Sequence, residues 1–248
     1  MTGQSIKMNP MIAFDHTMPD AAGNLALDES LLLHAEQTDT FEGLRFWEYP
    51  AHAVVLGAGG SVAIDVKRET CERDGVPILR RSSGGGTVLL GRGCLLFSLI
   101  VNHRRAAEIR DVNASYRWIL GRVKAALSSF SNVDHSGISD LAIDGVKFSG
   151  NAQQRKSRAI LHHGTILYDF DLPSVPKYLN PPERMPEYRH GRSHEEFVRN
   201  IPGTREEIMM RLSEVFEANP ATFPLEALES VPGLVDEKYG RGEWNFRR

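Results

Sequence analysis

Apolar residues recur over positions 21–37 at the spacing of one helix face. Leu27, Leu31 and Ala35 stand four apart with Leu32 beside them, which predicts a helix. Residues 11–16, 44–49 and 53–56 read instead as strands, the last two separated by Pro50. A short charged helix is expected over 66–74, ended by Gly75. Residues 77–80 lead into three consecutive glycines, Gly84 to Gly86, and strands follow at 87–90 and 94–101. The second of these is apolar at nearly every position, as in a strand buried on both faces. The longest helix is expected over 109–130, with Trp118, Leu120, Val123, Ala126 and Leu127 toward the core. Short strands are predicted at 141–143, 147–149 and 159–168, with turns at Asp144-Gly145 and Gly150-Asn151. The Asp-Gly pair between apolar runs is a hairpin signal. Residues 171–193 are rich in Pro and Arg and read as a long loop. Two helices are expected to follow, over 204–218 and 225–239, the first opened by the capping box Thr204-x-x-Glu207. The strands are short and not spaced by regular helices. That favours an α+β class with a mixed or antiparallel β-sheet core flanked by helices over a doubly wound fold. Residues 1–10 read as a flexible arm and 11–248 as a single domain.

Composition narrows the class. The chain has 248 residues, 41% hydrophobic and 25% charged, an ordinary globular mixture. A net charge of −3 provides no basic field for nucleic acid. Cys71 and Cys94 lack metal-ligand spacing and read as reduced thiols of a cytoplasmic protein. No apolar run reaches the ~18 residues of a membrane span. The N-terminus lacks the apolar core of a secretory signal.

Two segments carry chemistry. In Arg80-Arg81-Ser82-Ser83-Gly84-Gly85-Gly86, fixed positive charge stands beside residues without a Cβ. Such backbone can turn its N–H groups into an anion-binding nest, and arginine grips carboxylate or phosphate. No Gly-Lys-Ser/Thr follows, so this is not a Walker loop. In Asp144-Gly-Val-Lys-Phe-Ser-Gly-Asn151, Lys147 lies on a predicted strand among small and apolar residues. It must either reach solvent or find an anion. Asp140, seven residues upstream, is a candidate partner for Lys147 or a magnesium ligand. His162 and His163 are adjacent on a predicted strand, so only one of them can face a pocket. Cys94 in its apolar strand reads as a buried, inert thiol, since a nucleophile needs a lowered pKa and a base.

With these residues together, the chain resembles the lipoate–protein ligase family, within the wider biotin/lipoyl protein ligase fold group. The resemblance rests on Asn24–Leu32, on Arg80–Val88, on Asp140–Gln153 around the lysine, on His162-His-Gly-Thr-Ile-Leu, and on Glu237-Lys-Tyr with Glu243-Trp-Asn-Phe. It implies ATP-dependent activation of lipoate or octanoate to acyl-AMP, then transfer to a lysine of a lipoyl acceptor domain protein. It implies Lys147 as the catalytic cation. The substrate and nucleotide would be held by Arg80, Arg81, Ser83, Gly84, Gly85, Gly86, Thr87, Asp140, Ser149, Gly150, Asn151 and His163. ATP and Mg²⁺ would be required, with lipoate as the acid. The strands at 87–90 and 94–101 would line an apolar tunnel for the tail. After the glycine loop, where the family usually carries a His-Asp pair and an Asn, this chain reads Leu89-Leu90-Gly91-Arg92-Gly93-Cys94. The chain stops soon after Trp244, where many ligases of the family carry a further accessory domain, so either a separate partner protein or a simpler mechanism is expected. Two alternatives stand beside the ligase: an octanoyl or lipoyl carrier-protein acyltransferase, with Cys94 as its sole candidate nucleophile, and a non-catalytic acyl- or nucleotide-binding relative.

Overall fold

The computed structural model of the protein describes residues 10–183 and 185–248. The expected N-terminal arm lies outside them except for Pro10. In chain order the strands are β1 (Ile12–Asp15), β2 (Gly43–Trp47), β3 (Ala53–Leu56), β4 (Ile78–Arg80), β5 (Val88–Leu90), β6 (Cys94–Asn102), β7 (Val133–Ser136), β8 (Asp140–Ile143), β9 (Val146–Arg155), β10 (Ala159–Leu167) and β11 (Asn219–Pro220). The longer helices are α1 (Ala21–Thr38), α2 (Val112–Leu127) and α3 (Arg205–Val215). A mixed sheet runs β11-β1-β2-β6-β10-β9-β8-β7, and a smaller one runs β4-β3-β5. β1 pairs in parallel with β11 and β2; from β2 to β7 the large sheet is antiparallel.

β6 explains why there are two cores. All nine of its residues are buried, and alternate side chains leave opposite faces of a strand. Cys94, Leu96 and Ile100 join the core shared with α1 and the small sheet. Leu95, Phe97, Leu99 and Val101 join the core shared with α2 and α3. α1 is covered along most of its length, with Leu27, Leu31, Leu32 and Ala35 fully buried. It starts where the Asp20 carboxylate accepts the Gly23 N–H and ends at Asp39 in the left-handed region.

Capping decides where the helices differ from expectation. Asp111 accepts the Ala114 N–H, so the span expected over 109–130 becomes a 3₁₀ turn (Ala107–Arg110) followed by α2. α1, with 18 residues, is therefore longer than α2, with 16. The capping box of Thr204 and Glu207 opens α3. The helix expected over 225–239 is instead Leu225–Glu229, then Val231–Leu234 with a proline in its first turn, then a π-helical turn over Val235–Tyr239. The Pro- and Arg-rich stretch is also more than a loop. It carries a helix at Ser174–Tyr178, a 3₁₀ turn at Glu187–Arg189, and a helix at His194–Phe197 opened by a Ser193/Glu196 capping box.

The Asp144-Gly145 hairpin forms with φ of 53° and 72°, as a primed turn requires. No turn forms at Gly150-Asn151. β9 runs through it, because residues 146–150 pair with β8 and 151–155 with β10. A register shift opposite Leu141 and Ala142 leaves Phe148 as the extra residue of a bulge. Among the described residues, no helix is long and apolar enough to cross a membrane.

Candidate active site

The glycine loop and β9 both line a cavity of about 840 Å³. That is within the usual range for small-molecule sites. One arm is apolar, lined by Leu25, Trp47, Val55, Leu89, Leu90, Leu96 and Phe170. The other is polar, with Lys147, Asp140, Asn151, Tyr188 and Arg189. Gly85, Gly86, Thr87 and His163 lie on the wall as well. Both strands expected to line an apolar tunnel reach the cavity, through Val88, Leu89 and Leu90 of β5 and Cys94 and Leu96 of β6.

The two neighbouring arginines have different tasks. Arg80 ends β4, and its guanidinium turns away from the cavity. It donates to Gly60 O (2.6 Å), Gly57 O (3.2 Å), Trp244 O (3.1 Å) and Asn245 O (3.0 Å). Trp244 Nε1 and Asn245 Oδ1 bond the Arg80 backbone in return. Arg80 therefore anchors the C-terminal residues and is corrected from a ligand-binding to a structural position. Arg81 lines the cavity but is also committed, to Ser83 Oγ (3.0 Å), Val55 O (3.2 Å), Gly84 O (2.6 Å) and Gly86 O (2.8 Å). It bends the loop from inside, and burial lowers its pKa to about 10.

That bend needs glycine in two places. Gly85 has φ +87°, and a Cβ on Gly57 would lie 2.0 Å from the Gly85 carbonyl oxygen. Among the described residues, none of the amides at 84–87 is taken by another protein group. They remain as free donors beside the cavity, the arrangement that suits an anion.

Lys147 lines the same cavity. Its Nζ is 2.8 Å from Asp140 Oδ1. The other Asp140 oxygen accepts the Tyr188 hydroxyl at 2.7 Å, and burial beside that carboxylate holds the phenol well above its ordinary pKa. The carboxylate of Asp140 is thus fully engaged. No cluster of three or more His, Cys, Asp or Glu side chains able to hold a metal occurs among the described residues. Of the two roles expected for Asp140, partner of Lys147 or magnesium ligand, the pairing with Lys147 is the one formed here.

The two histidines divide as strand geometry requires. His162 is fully buried against Phe97 and Tyr116, accepts from Gln153 Nε2 at 3.1 Å, and lies 3.3 Å from Asn151 Oδ1. Burial and the neighbouring His163 lower its pKa to about 3. His163 faces the cavity. Its Nε2 is 2.6 Å from Ser83 Oγ and its Nδ1 is 3.7 Å from Asp28 Oδ2. Asp28 is buried, paired with Arg45 (2.7 Å) and Ser98 Oγ (2.8 Å). Burial pushes its pKa up, but Arg45, His163 and Ser98 bring the net shift below the ordinary value. Asn151 donates to Ser139 O (2.9 Å) and to the buried Ser149 Oγ (3.1 Å), and so braces β9. Thr87 Oγ1 donates to Asp65 (2.8 Å). Gly150 comes so close to the lysine that a Cβ there would lie 2.8 Å from Lys147 Nζ. Cys94 lines the apolar arm but is fully buried, and burial with Glu48 nearby pushes its pKa well up.

The sequence pattern of the lipoyl protein ligase A/B catalytic domain matches residues 20–217. The chain belongs to this family. A Mycoplasma pneumoniae protein named "Probable lipoate-protein ligase A" is 27% identical over 233 residues, covering 90% of this chain and 67% of that protein. The octanoyltransferase LipM of Halalkalibacterium halodurans is 26% identical over 265 residues, covering 92% of this chain and 96% of that one. Among solved structures, a bi-partite lipoate protein ligase of Thermoplasma acidophilum, described with its E2 lipoyl domain, superposes with a TM-score of 0.80 at 22% identity, covering 96% of this chain and 95% of that one. A second structure from T. acidophilum, with bound lipoic acid, gives 0.80 at 20% (96% and 98% covered). A lipoate-protein ligase A bound with ATP gives 0.79 at 21% (96% and 98% covered). The fold is that of the lipoyl protein ligases.

Two residues of this ligase-family cavity, Tyr188 and Arg189, had no signal in the sequence, since they sit in a stretch that reads as loop. Asp28, behind His163, lies within the matched Asn24–Leu32 segment, but nothing there set it apart from the core helix. The closing motif had a signal, and the structure gives it a place. Lys238 (2.7 Å) and Tyr239 (2.6 Å) bond Glu29 of α1, and Ser82 of the loop donates to the same carboxylate at 2.9 Å.

Proposed function

We propose that the protein activates lipoate or octanoate with ATP to acyl-AMP and pyrophosphate, then transfers the acyl group to a lysine of a lipoyl acceptor domain. The observation that carries this reading is that the free amides of Gly85, Gly86 and Thr87 and the Lys147 ammonium line one cavity that also has a large apolar lining. A carboxylate and a phosphate repel each other, and joining them needs positive charge between them. The carboxylate oxygen attacks the α-phosphorus, and the bond to the bridging oxygen breaks. Pyrophosphate leaves with that electron pair. Lys147 Nζ neutralises the crowded anions, and the amides of Gly84, Gly85, Gly86 and Thr87 hold the acid and the phosphoryl oxygens. Such preorganised charge and positioning are the main catalytic means here. The acceptor amine then attacks the acyl carbonyl, AMP leaves, and no protein nucleophile is required. Ser83, bonded to Arg81 Nε and His163 Nε2, supports the loop from behind. Arg81, Ser149, Gly150 and Asn151 hold the walls.

The similarity to LipM, over nearly its whole length, favours a second reading in which the acyl group comes from a carrier without ATP. That route needs a thioester, and Cys94 is the cysteine on the cavity wall. Its burial and raised pKa weigh against it. The bi-partite neighbour supports a separate accessory subunit for the ligase reading. The test is mass spectrometry of a lipoyl acceptor domain incubated with the protein, lipoate and MgATP. A gain of the lipoyl mass that needs ATP is expected. No gain with lipoate or octanoate, even with an accessory protein supplied, ends the reading.

A further inference from the structure

Arg189 is the cation of the cavity that the reading above leaves without a task. It is 3% exposed and lines the polar arm. One guanidinium nitrogen, Nη2, is buried with no hydrogen-bond partner. Buried guanidinium donors are satisfied in nearly all folded proteins, so an orphan on a residue that lines a cavity calls for an acceptor. Nor does Arg189 pair with a carboxylate among the described residues. Lys147, in contrast, is already matched by Asp140. Arg81 also lacks a carboxylate, but its guanidinium is taken up by the loop carbonyls and Ser83, which leaves Arg189 as the lining cation with a donor to spare.

The side chain is held in place before any ligand arrives. Arg189 Nε donates to Arg192 O at 2.8 Å, and Arg192 Nε returns a bond to Arg189 O at 3.0 Å. Arg192 Nη2 also donates to Tyr188 O and to Gly145 O of the β8–β9 turn. The Phe197 ring lies 4.7 Å from the Arg189 guanidinium carbon. Tyr188, one residue before, reaches the counter-ion of Lys147. The turn is thus fixed to the lysine hairpin at two points, which places both cations on one cavity.

We infer that Arg189 is a phosphate-binding residue, holding a phosphoryl group remote from the acid carboxylate that the glycine loop and Lys147 receive. A fatty-type acid brings one carboxylate; a second buried cation calls for a second anionic centre. A planar guanidinium suits the oxygens of a phosphate. The phosphate belongs either to the polyphosphate of a nucleotide or to the phosphodiester of a pantetheine arm. The assignment to a nucleotide rests on the ligase reading.

Calorimetric titration of the full chain with inorganic pyrophosphate tests this. The wild type should bind it, Arg189→Gln at least tenfold more weakly, and Arg189→Lys in between. Melting temperatures check the fold, and if the glutamine variant unfolds, the lysine variant decides. No binding by the wild type, or equal binding by the wild type and a folded variant, overturns the inference. Kinetics then separate the sources. A tenfold rise in KM for ATP with KM for lipoate unchanged assigns the phosphate to the nucleotide. The same rise for an octanoyl-phosphopantetheine donor assigns it to the carrier arm, and no change in either overturns the role. A wild type that binds pyrophosphate through Arg189 yet releases none from ATP and lipoate upholds this residue's role while ending the ligase reading.

Discussion

Asp140 joins Lys147 and Tyr188: one oxygen lies 2.8 Å from the lysine Nζ, and the other accepts the tyrosine hydroxyl at 2.7 Å. The hairpin that supplies the lysine and the segment that covers it are thereby fixed to each other through one carboxylate. In the free protein the lysine charge is balanced. An arriving anion shares it with Asp140, and this makes geometry, not charge alone, the quantity the site controls.

Lys147→Ala should lower pyrophosphate release by about 100-fold or more, the scale on which a single preorganised donor acts. Steady-state assay with lipoate and ATP measures it. Asp140→Asn keeps the lysine but frees its end. A loss of about tenfold is expected, with much of it restored in Asp140→Glu, since only positioning has changed. A full-rate Lys147→Ala enzyme would remove the lysine from the chemistry.

Arg80 and Arg81 are adjacent, yet their substitutions should separate. Arg80→Ala leaves several buried carbonyls without donors and is expected to cost about 2–4 kcal/mol of stability. The KM of the folded fraction should stay within about twofold, because the side chain reaches no part of the cavity. Arg81→Ala releases Gly84 and Gly86 and should act on KM and kcat together. Urea unfolding alongside kinetics distinguishes the two.

What the sequence revealed was local. The primed turn at Asp144-Gly145, the capping box at Thr204 and the glycine loop are each written in a few consecutive residues, and all are present. The strand nature of residues 162–163 was enough to say that the histidines part, though not which one turns inward. What could not be read depends on packing between distant segments. Arg80 and Arg81 look alike until β4 is placed against residues 244–245. Asp28 looks like one polar position on a helix until α1 covers β6 and β10 and brings it to Arg45, Ser98 and His163. Residues 171–193 have no apolar period, so nothing in them announced that Tyr188 would reach Asp140.

Cys94 separates the two routes for the acyl group. Its thiol is fully buried, and burial keeps it protonated at neutral pH. Cys94→Ala should retain ATP-dependent acyl transfer within about twofold, and no acyl adduct should appear on the intact protein with an octanoyl carrier. A trapped thioester that disappears in Cys94→Ala would replace the adenylate route with a covalent one.

His162 gives the fold a pH dependence of its own. The unfolded chain takes a proton on this residue below pH 6.5, whereas the folded chain resists it until about pH 3. Its stability contribution is therefore complete above pH 6.5. It falls by about 1.4 kcal/mol for each pH unit between those limits, because the unfolded state binds the extra proton. Urea midpoints of the wild type and His162→Gln from pH 7 to pH 4.5 measure the difference. The variant should lose about one proton's worth of slope. Equal slopes would mean that the buried imidazole charges without unfolding the sheet around it.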